Sequence, residues 1–296
     1  MSYHIVHVFN HGSRLTKERG MMVCKNEEGE ENHELPIEDI RAVIIAARGI
    51  FMSQELVAAL LEVNAVILHC DRSYRPVGIT SGIERVVHND ALFNQGNRAL
   101  KLHDRLWRLI AAAKVANQAH VLENYGIHAA FLKRQLEGRT VNEAACARHY
   151  WKNYFAILGA HGVRRHGDDE AGFNARLNYG YAVLGALIHR GIVAHGLSPV
   201  FGLHHITRYK AHALVYDLME PWRPYIDLML VEYVTAHPVE DEMRAWAQYA
   251  AHGIRDIVVE TPSQKLKLPD AVDVFVSGIA KCYADKTVRH AWMPAL

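Results

Sequence analysis

Residues 42–70 read AVIIAARGIFMSQELVAALLEVNAVILHC, and the change of pattern inside this stretch decides how the first part of the chain folds. AVIIAA (42–47) and NAVILHC (64–70) are short, apolar and rich in β-branched residues, the composition of strands. Between them, SQELVAALLEV places Leu56, Ala59, Leu60 and Val63 at spacings of three and four, the period of a helix, and Ser53 is placed to cap it. Toward the N-terminus, HIVHVF from His4 and MMVC from Met21 read as further strands. The charged run between Asn26 and Asn32 suits a solvated hairpin tip between Cys24 and the next strand.

Toward the C-terminus, Arg75 to Asn97 carries Pro76, Gly78, Gly82, Asn89 and Gly96, the punctuation of a hairpin and a connecting segment. From about Gln95 the pattern changes to long segments of helical period. The predicted class is therefore α+β in two domains. A small β-rich, β-sandwich-like domain with one helix covers 1–85, a linker covers 86–96, and a larger all-α domain covers 97–296.

The chain has 296 residues, of which 50% are hydrophobic and 22% charged, which excludes a disordered or low-complexity protein. A formal charge of +1 excludes a general polyanion-binding excess, so any basic surface is local. Cys24, Cys70, Cys146 and Cys282 have no CxxC spacing, which argues against a zinc ribbon or a disulfide framework. No run of apolar residues is long enough to span a membrane, and the first residues lack a signal-peptide pattern. The expectation is a soluble, cytoplasmic protein without membrane contact.

Three segments could carry chemistry. A helix over about 98–116 stacks Arg98, Lys101, Arg105 and Arg108 on one face beside a stripe of Leu102, Leu106, Leu109 and Ala113. Such a row either tracks a phosphate backbone or is an ordinary solvated face. After Gly138, Thr140 and Asn142 are candidate caps for a helix with Glu143 in its first turn, where a carboxylate most often serves only the helix dipole. From Pro199 onward come adjacent His204 and His205, then Asp217, Glu220 and Asp227. Asp217 and Glu220 share a face if the helix continues, while Pro221 favours a break there. The plainer reading pairs Glu220 with Arg223 and lets the two histidines fill a polar gap. One imidazole with two carboxylates suits Mg²⁺ or Mn²⁺ on a phosphodiester, although spacing leaves open whether Glu143, His205 and Glu220 meet.

At these residues the chain resembles the integrase/endonuclease family of CRISPR spacer acquisition. NEAACARHYW (142–151) resembles its glutamate motif, FNARLNYGYAVL (173–184) its asparagine-containing helix, HGLSPVFGLHH (195–205) its histidine motif and LVYDLMEPWRP (214–224) its acidic motif. The resemblance implies metal ligation and catalysis by Glu143, His205 and Glu220, with His204 as the alternative histidine and the role of Asp217 open. Asn174 matches the family's asparagine, although DDEAGFN (168–174) replaces the commoner Asp-Pro before it. The resemblance further implies Mg²⁺ or Mn²⁺ as cofactor, a homodimer formed and partnered through the N-terminal domain, and a small dimeric CRISPR-associated partner. The implied substrates are a duplex DNA fragment and the CRISPR repeat. The form of the motifs resembles members from compact single-effector systems, which adds the effector nuclease as a further candidate partner. The expected chemistry is transesterification by a DNA 3′-hydroxyl, with a non-catalytic DNA-binding scaffold as the alternative and a small-phosphoester metallohydrolase as a third reading.

Overall fold

The computed structural model describes residues 4–26, 28, 30–74, 76–83, 89–97, 101–138, 140–167, 172–204, 212–237 and 242–296. Its N-terminal part holds strands β1 (His4–Val8), β2 (Arg14–Glu18), β3 (Met21–Lys25), β4 (Glu31–Pro36), β5 (Ile40–Ile45), β6 (Phe51–Met52), β7 (Val66–Cys70) and β8 (Pro76–Thr80). Helix α1 (Gln54–Glu62) lies between β6 and β7, and the Ser53 hydroxyl accepts the Leu56 N–H at 3.2 Å, the expected cap.

One four-stranded sheet has the order β1-β5-β7-β8, with β1, β5 and β7 parallel and β8 antiparallel; the other has the order β4-β3-β2-β6. Successive residues of the first sheet serve two different cores. Val43 and Ile67 pack with Leu15, Met22, Leu56 and Leu60, whereas Ala42, Ile44, Val66 and Leu68 face the helical core. A sheet buried on both faces explains why AVIIAA and NAVILHC are continuously apolar rather than alternating. Of the expected sandwich-like domain the structure shows two sheets and a shared apolar cluster into which α1 also packs.

The remainder consists chiefly of α2 (Asn89–Gly96), α3 (Leu102–Asn124), α4 (Ala130–Leu136), α5 (Glu143–Ile157), α6 (Gly172–Ala194), α7 (Ala213–Met219), α8 (Arg223–Ala236), α9 (Met243–Asp256) and α10 (Leu268–Asp285). Two features differ from the sequence expectation. An antiparallel hairpin, β9 (Val258–Glu260) with β10 (Lys265–Lys267), interrupts the expected all-α region. From Asn89 on, the expected linker is a docked helix. The Asn94 amide donates to the Tyr283 carbonyl at 2.9 Å, and the buried Gln95 amide donates to the carbonyls of Ser198 and Phe201 at 2.8 and 2.9 Å.

Helix α6 is buried on nearly every side and joins the two parts, packing on β5 and β7 as well as on α7 to α10. The Tyr179 hydroxyl meets His7 Nδ1 of β1 at 2.9 Å. A Cβ at Gly180 would overlap the Ile226 side chain, so α6 and α8 approach more closely there than any other residue would allow. Among the described residues no helix is long and apolar enough to cross a membrane.

Candidate active site

Glu143 is the first residue of α5. Asn142 caps the helix, its side-chain oxygen accepting the Ala145 N–H at 3.1 Å. Cys146, Tyr150 and Tyr154 form the buried stripe of α5, and Glu143 heads that stripe one turn earlier, so its carboxylate turns inward and is half-buried. There its Oε1 accepts the Trp107 indole N–H at 2.9 Å.

Glu220 follows the last residue of α7 and opens a 3₁₀ turn, Glu220–Trp222, before α8 begins at Arg223. The break expected at Pro221 is present, while Glu220 itself keeps right-handed helical backbone angles. Its side chain is buried and flanked by cations, with Lys114 Nζ at 2.5 Å from Oε2 and Arg223 Nε at 3.3 Å from Oε1. Burial opposes the Arg223 charge, yet Glu220, Tyr181 and Asp227 around it hold its pKa above the ordinary arginine value. The pairing with Arg223 is the plainer reading of the sequence; Lys114 is a partner that the sequence does not signal. Trp107 and Lys114 both belong to α3 and are seven residues apart, two helical turns on one face. A single helix face thus holds the carboxylates from two other elements.

Asp217, one turn before Glu220, is wholly buried. Its Oδ2 accepts the backbone N–H groups of Leu203 and His204 at 2.5 and 3.0 Å. The His204 ring lies flat on Trp107, with centroids 4.4 Å apart and planes at 3°. His205 lies outside the described residues, so the structure neither joins it to Glu143 and Glu220 nor separates it from them. Among the described residues, no group of three or more His, Cys, Asp or Glu side chains is arranged to hold an ion.

Asp227, grouped with the other acids by sequence, belongs elsewhere. It is buried beneath α5 and α6, accepting the Tyr150 hydroxyl at 2.6 Å and the Tyr181 hydroxyl, while its backbone carbonyl takes the Tyr154 hydroxyl at 3.0 Å. Burial pushes its pKa up to about 6, partly offset by those hydroxyls and by Arg223 and Arg165. Asn174 is also internal: its amide donates to the Arg164 carbonyl at 2.8 Å and its oxygen accepts the His166 N–H at 3.2 Å, fixing the segment before α6.

Of the basic row, Lys101 just before α3 and Arg105 and Arg108 on it are exposed, and Arg98 lies outside the described residues. The stripe beside them differs from the expected one. Leu102, Leu106 and Ile110 are buried, but Leu109 is 37% exposed, because the inward face also takes His103 and Ala111. Trp107, Arg108, Thr140 and Glu143 line a cleft of about 260 Å³. A larger cleft of about 570 Å³ opens between β8, α6 and α7, where Arg165, Asn178, His189, Tyr216 and Arg223 supply polar groups. Arg223 links this cleft to Glu220.

The model of the CRISPR-associated protein Cas1 family matches residues 6–245. This chain belongs to the Cas1 family. It is 27% identical to a CRISPR-associated endonuclease Cas1 of Neisseria meningitidis over 98% of this chain and 95% of that protein. It is 30% identical to one of Pyrobaculum aerophilum over 76% of this chain and 81% of that protein. Among solved structures, a Cas1 protein from Thermotoga maritima has the same fold, with a TM-score of 0.74, 15% identity and coverage of 95% of this chain and 96% of that one. A casposase bound to its integration product aligns with a TM-score of 0.78 at 16% identity, covering 96% of this chain and 91% of that one. These alignments take in both the two-sheet region and the helices.

Proposed function

We propose that this Cas1-family chain is a metal-dependent DNA endonuclease and integrase that inserts captured DNA into a CRISPR array. The observation that carries this reading is the holding of Glu143 and Glu220 on one face of α3, Glu143 at the edge of a cleft. Names given to relatives support it, since the curated ones are called endonucleases and the casposase is described with an integration product.

Two carboxylates and an imidazole form the donor set that suits Mg²⁺ or Mn²⁺. Glu143, Glu220 and His205 would hold the ion, which supplies charge neutralisation at the phosphoryl group and lowers the pKa of the attacking hydroxyl. Lys114 and Arg223 hold the buried Glu220 carboxylate, and an ion that took Oε2 would displace Lys114 from it. The 3′-hydroxyl of the incoming fragment attacks the repeat-boundary phosphodiester, a P–O bond forms as another breaks, and the displaced 3′-oxygen takes a proton. With water in place of that hydroxyl the same site hydrolyses DNA. Lys101, Arg105 and Arg108 would follow the phosphate backbone from their exposed positions, and Arg98, outside the described residues, is assigned the same role.

The partners are a duplex DNA fragment, the repeat, a second copy of the chain and a small CRISPR-associated dimer. Solved neighbours described as a Cas6-RT-Cas1–Cas2 complex and a TtCas1–DNA complex support DNA and a small CRISPR-associated partner, with TM-scores of 0.77 and 0.56. The near full-length match to the Neisseria meningitidis protein partly supports the compact-system subtype, for which the effector nuclease is a further candidate contact. The test is strand transfer into a repeat-bearing plasmid by Glu143→Ala, His205→Ala and Glu220→Ala, each shown to be folded and of wild-type oligomeric state. Loss of joining in all three is expected. Wild-type joining in all three would reduce the chain to a DNA-binding scaffold.

A further inference from the structure

Asp217, His204 and Trp107 form a continuous chain between α7 and the head of α5. A wholly buried carboxylate must be paired or hydrogen-bonded, and Asp217 directs one oxygen at two consecutive backbone N–H groups, those of Leu203 and His204. Such charge-assisted bonds fix a loop more firmly than neutral ones. The loop so fixed presents the His204 ring to Trp107 as a parallel stack at 4.4 Å. On its other side, Trp107 donates its indole N–H to Glu143 Oε1 at 2.9 Å. Gln95 holds the same loop earlier, donating to the carbonyls of Ser198 and Phe201.

We propose that Asp217, His204 and Trp107 are positioning residues: together they fix the chain that leads into His205 against the carboxylate of Glu143, and neither Asp217 nor His204 is a ligand of the ion. This rests on the metal-dependent reading above. A carboxylate that acts through its oxygen as an acceptor is replaceable by an amide, which keeps a carbonyl oxygen for the two N–H groups. A carboxylate that acts as a ligand is not. By the same logic His204→Phe keeps the stack while removing both ring nitrogens, and Trp107→Phe keeps the stack while removing the donor to Glu143.

The experiment titrates Mn²⁺ alone into the full-length chain, following free Mn²⁺ by electron paramagnetic resonance, with hydrogen exchange at the Leu203 and His204 amides measured in parallel. Asp217→Asn and His204→Phe should bind Mn²⁺ within about threefold of wild type. Asp217→Ala and Trp107→Phe should weaken it by about 10- to 100-fold, the range typical of residues that orient a ligand. Exchange at the two amides should quicken in Asp217→Ala and stay slow in Asp217→Asn. If Asp217→Asn loses Mn²⁺ as fully as Asp217→Ala, or His204→Phe as fully as His205→Ala, the positioning role is overturned. Should Asp217→Ala fail to fold, the Asn and Phe variants decide the matter alone. A wild-type chain that binds no Mn²⁺ would instead overturn the metal-dependent reading itself.

Discussion

Two acidic regions lie close in sequence and differ in what surrounds them. Around Asp227 the protein supplies neutral hydroxyls from Tyr150, Tyr181 and Tyr154, closed off by α5, α6 and α8. Around Glu220 it supplies two cations, Lys114 and Arg223, and around Glu143 a single indole N–H beside a cleft. Arg223 and Arg165 act on the Asp227 carboxylate from farther off, and Arg223 also borders Glu220. The second region is arranged so that a cation already sits on each side of its buried carboxylate. Direct hydroxyl donors at Asp227 and direct cationic partners at Glu220 set the two acids apart, although both are buried.

The largest expected effect is on the open region. Glu143→Ala or Glu220→Ala should lower strand joining by at least about 10²–10³-fold, as expected when charge stabilisation in the transition state is removed. The thermal stability of Glu143→Ala should change far less, whereas Glu220→Ala also takes the shared carboxylate away from Lys114 and Arg223 and should lose stability as well. The reverse pattern is expected at the closed region, where Asp227→Ala takes the carboxylate away from the hydroxyls of Tyr150 and Tyr181. A loss of about 2–5 kcal/mol in urea unfolding is expected there, since two buried hydroxyls each lose an acceptor at about 1–3 kcal/mol. A loss under about 1 kcal/mol would erase the distinction between the regions.

Asp227 also predicts a pH dependence. Burial raises its pKa from 3.8 to about 6, so the folded chain binds this proton more tightly than the unfolded one. Its contribution to stability is full below about pH 3.8 and is lost as pH rises through about 6. The stability difference between wild type and Asp227→Asn should therefore move against wild type across that window by up to about 3 kcal/mol, two pKa units at about 1.4 kcal/mol each. A flat difference would show that the Asp227 carboxyl titrates as it does in the unfolded chain.

Smaller effects sharpen the open region. Lys114→Met removes one of the two cations at Glu220 and should cost about 1.5–3 kcal/mol, the worth of a hydrogen bond to a charged group. The exposed row should matter to DNA rather than to folding. Replacing Lys101, Arg105 and Arg108 by Gln should leave the melting temperature unchanged and reduce the slope of log K against log salt by about one for each phosphate that is no longer neutralised. An unchanged slope would return that face to ordinary solvated surface.

Much of the molecule is legible in the sequence where the signal is local. Ser53 as cap, the runs that become β5 and β7, Glu143 at the head of α5 and the break at Pro221 all follow from neighbouring residues. Strand β2 is not legible, because RLTKE buries only Leu15 and takes its conformation from pairing with β3. Helix α2 reads as linker because Asn89 and Gly96 look like punctuation, while its anchors at Ser198, Phe201 and Tyr283 are more than 100 residues away. Lys114 and Trp107 carry no motif. On α3 they resemble any lysine and tryptophan of an amphipathic helix, and only the tertiary arrangement sets them against Glu220 and Glu143. Asp227 groups wrongly for the mirror reason: its spacing from Glu220 is suggestive, and its tyrosine partners are distant in sequence.

The most direct measurement is anomalous scattering from crystals of the full-length chain soaked with Mn²⁺. One peak is expected within bonding distance of carboxylate oxygens of both Glu143 and Glu220 and of the His205 imidazole, with Asp217 still bonded to the Leu203 and His204 amides. A chain that joins DNA in Mn²⁺ while its crystals place the ion away from either glutamate would contradict the shared site on α3.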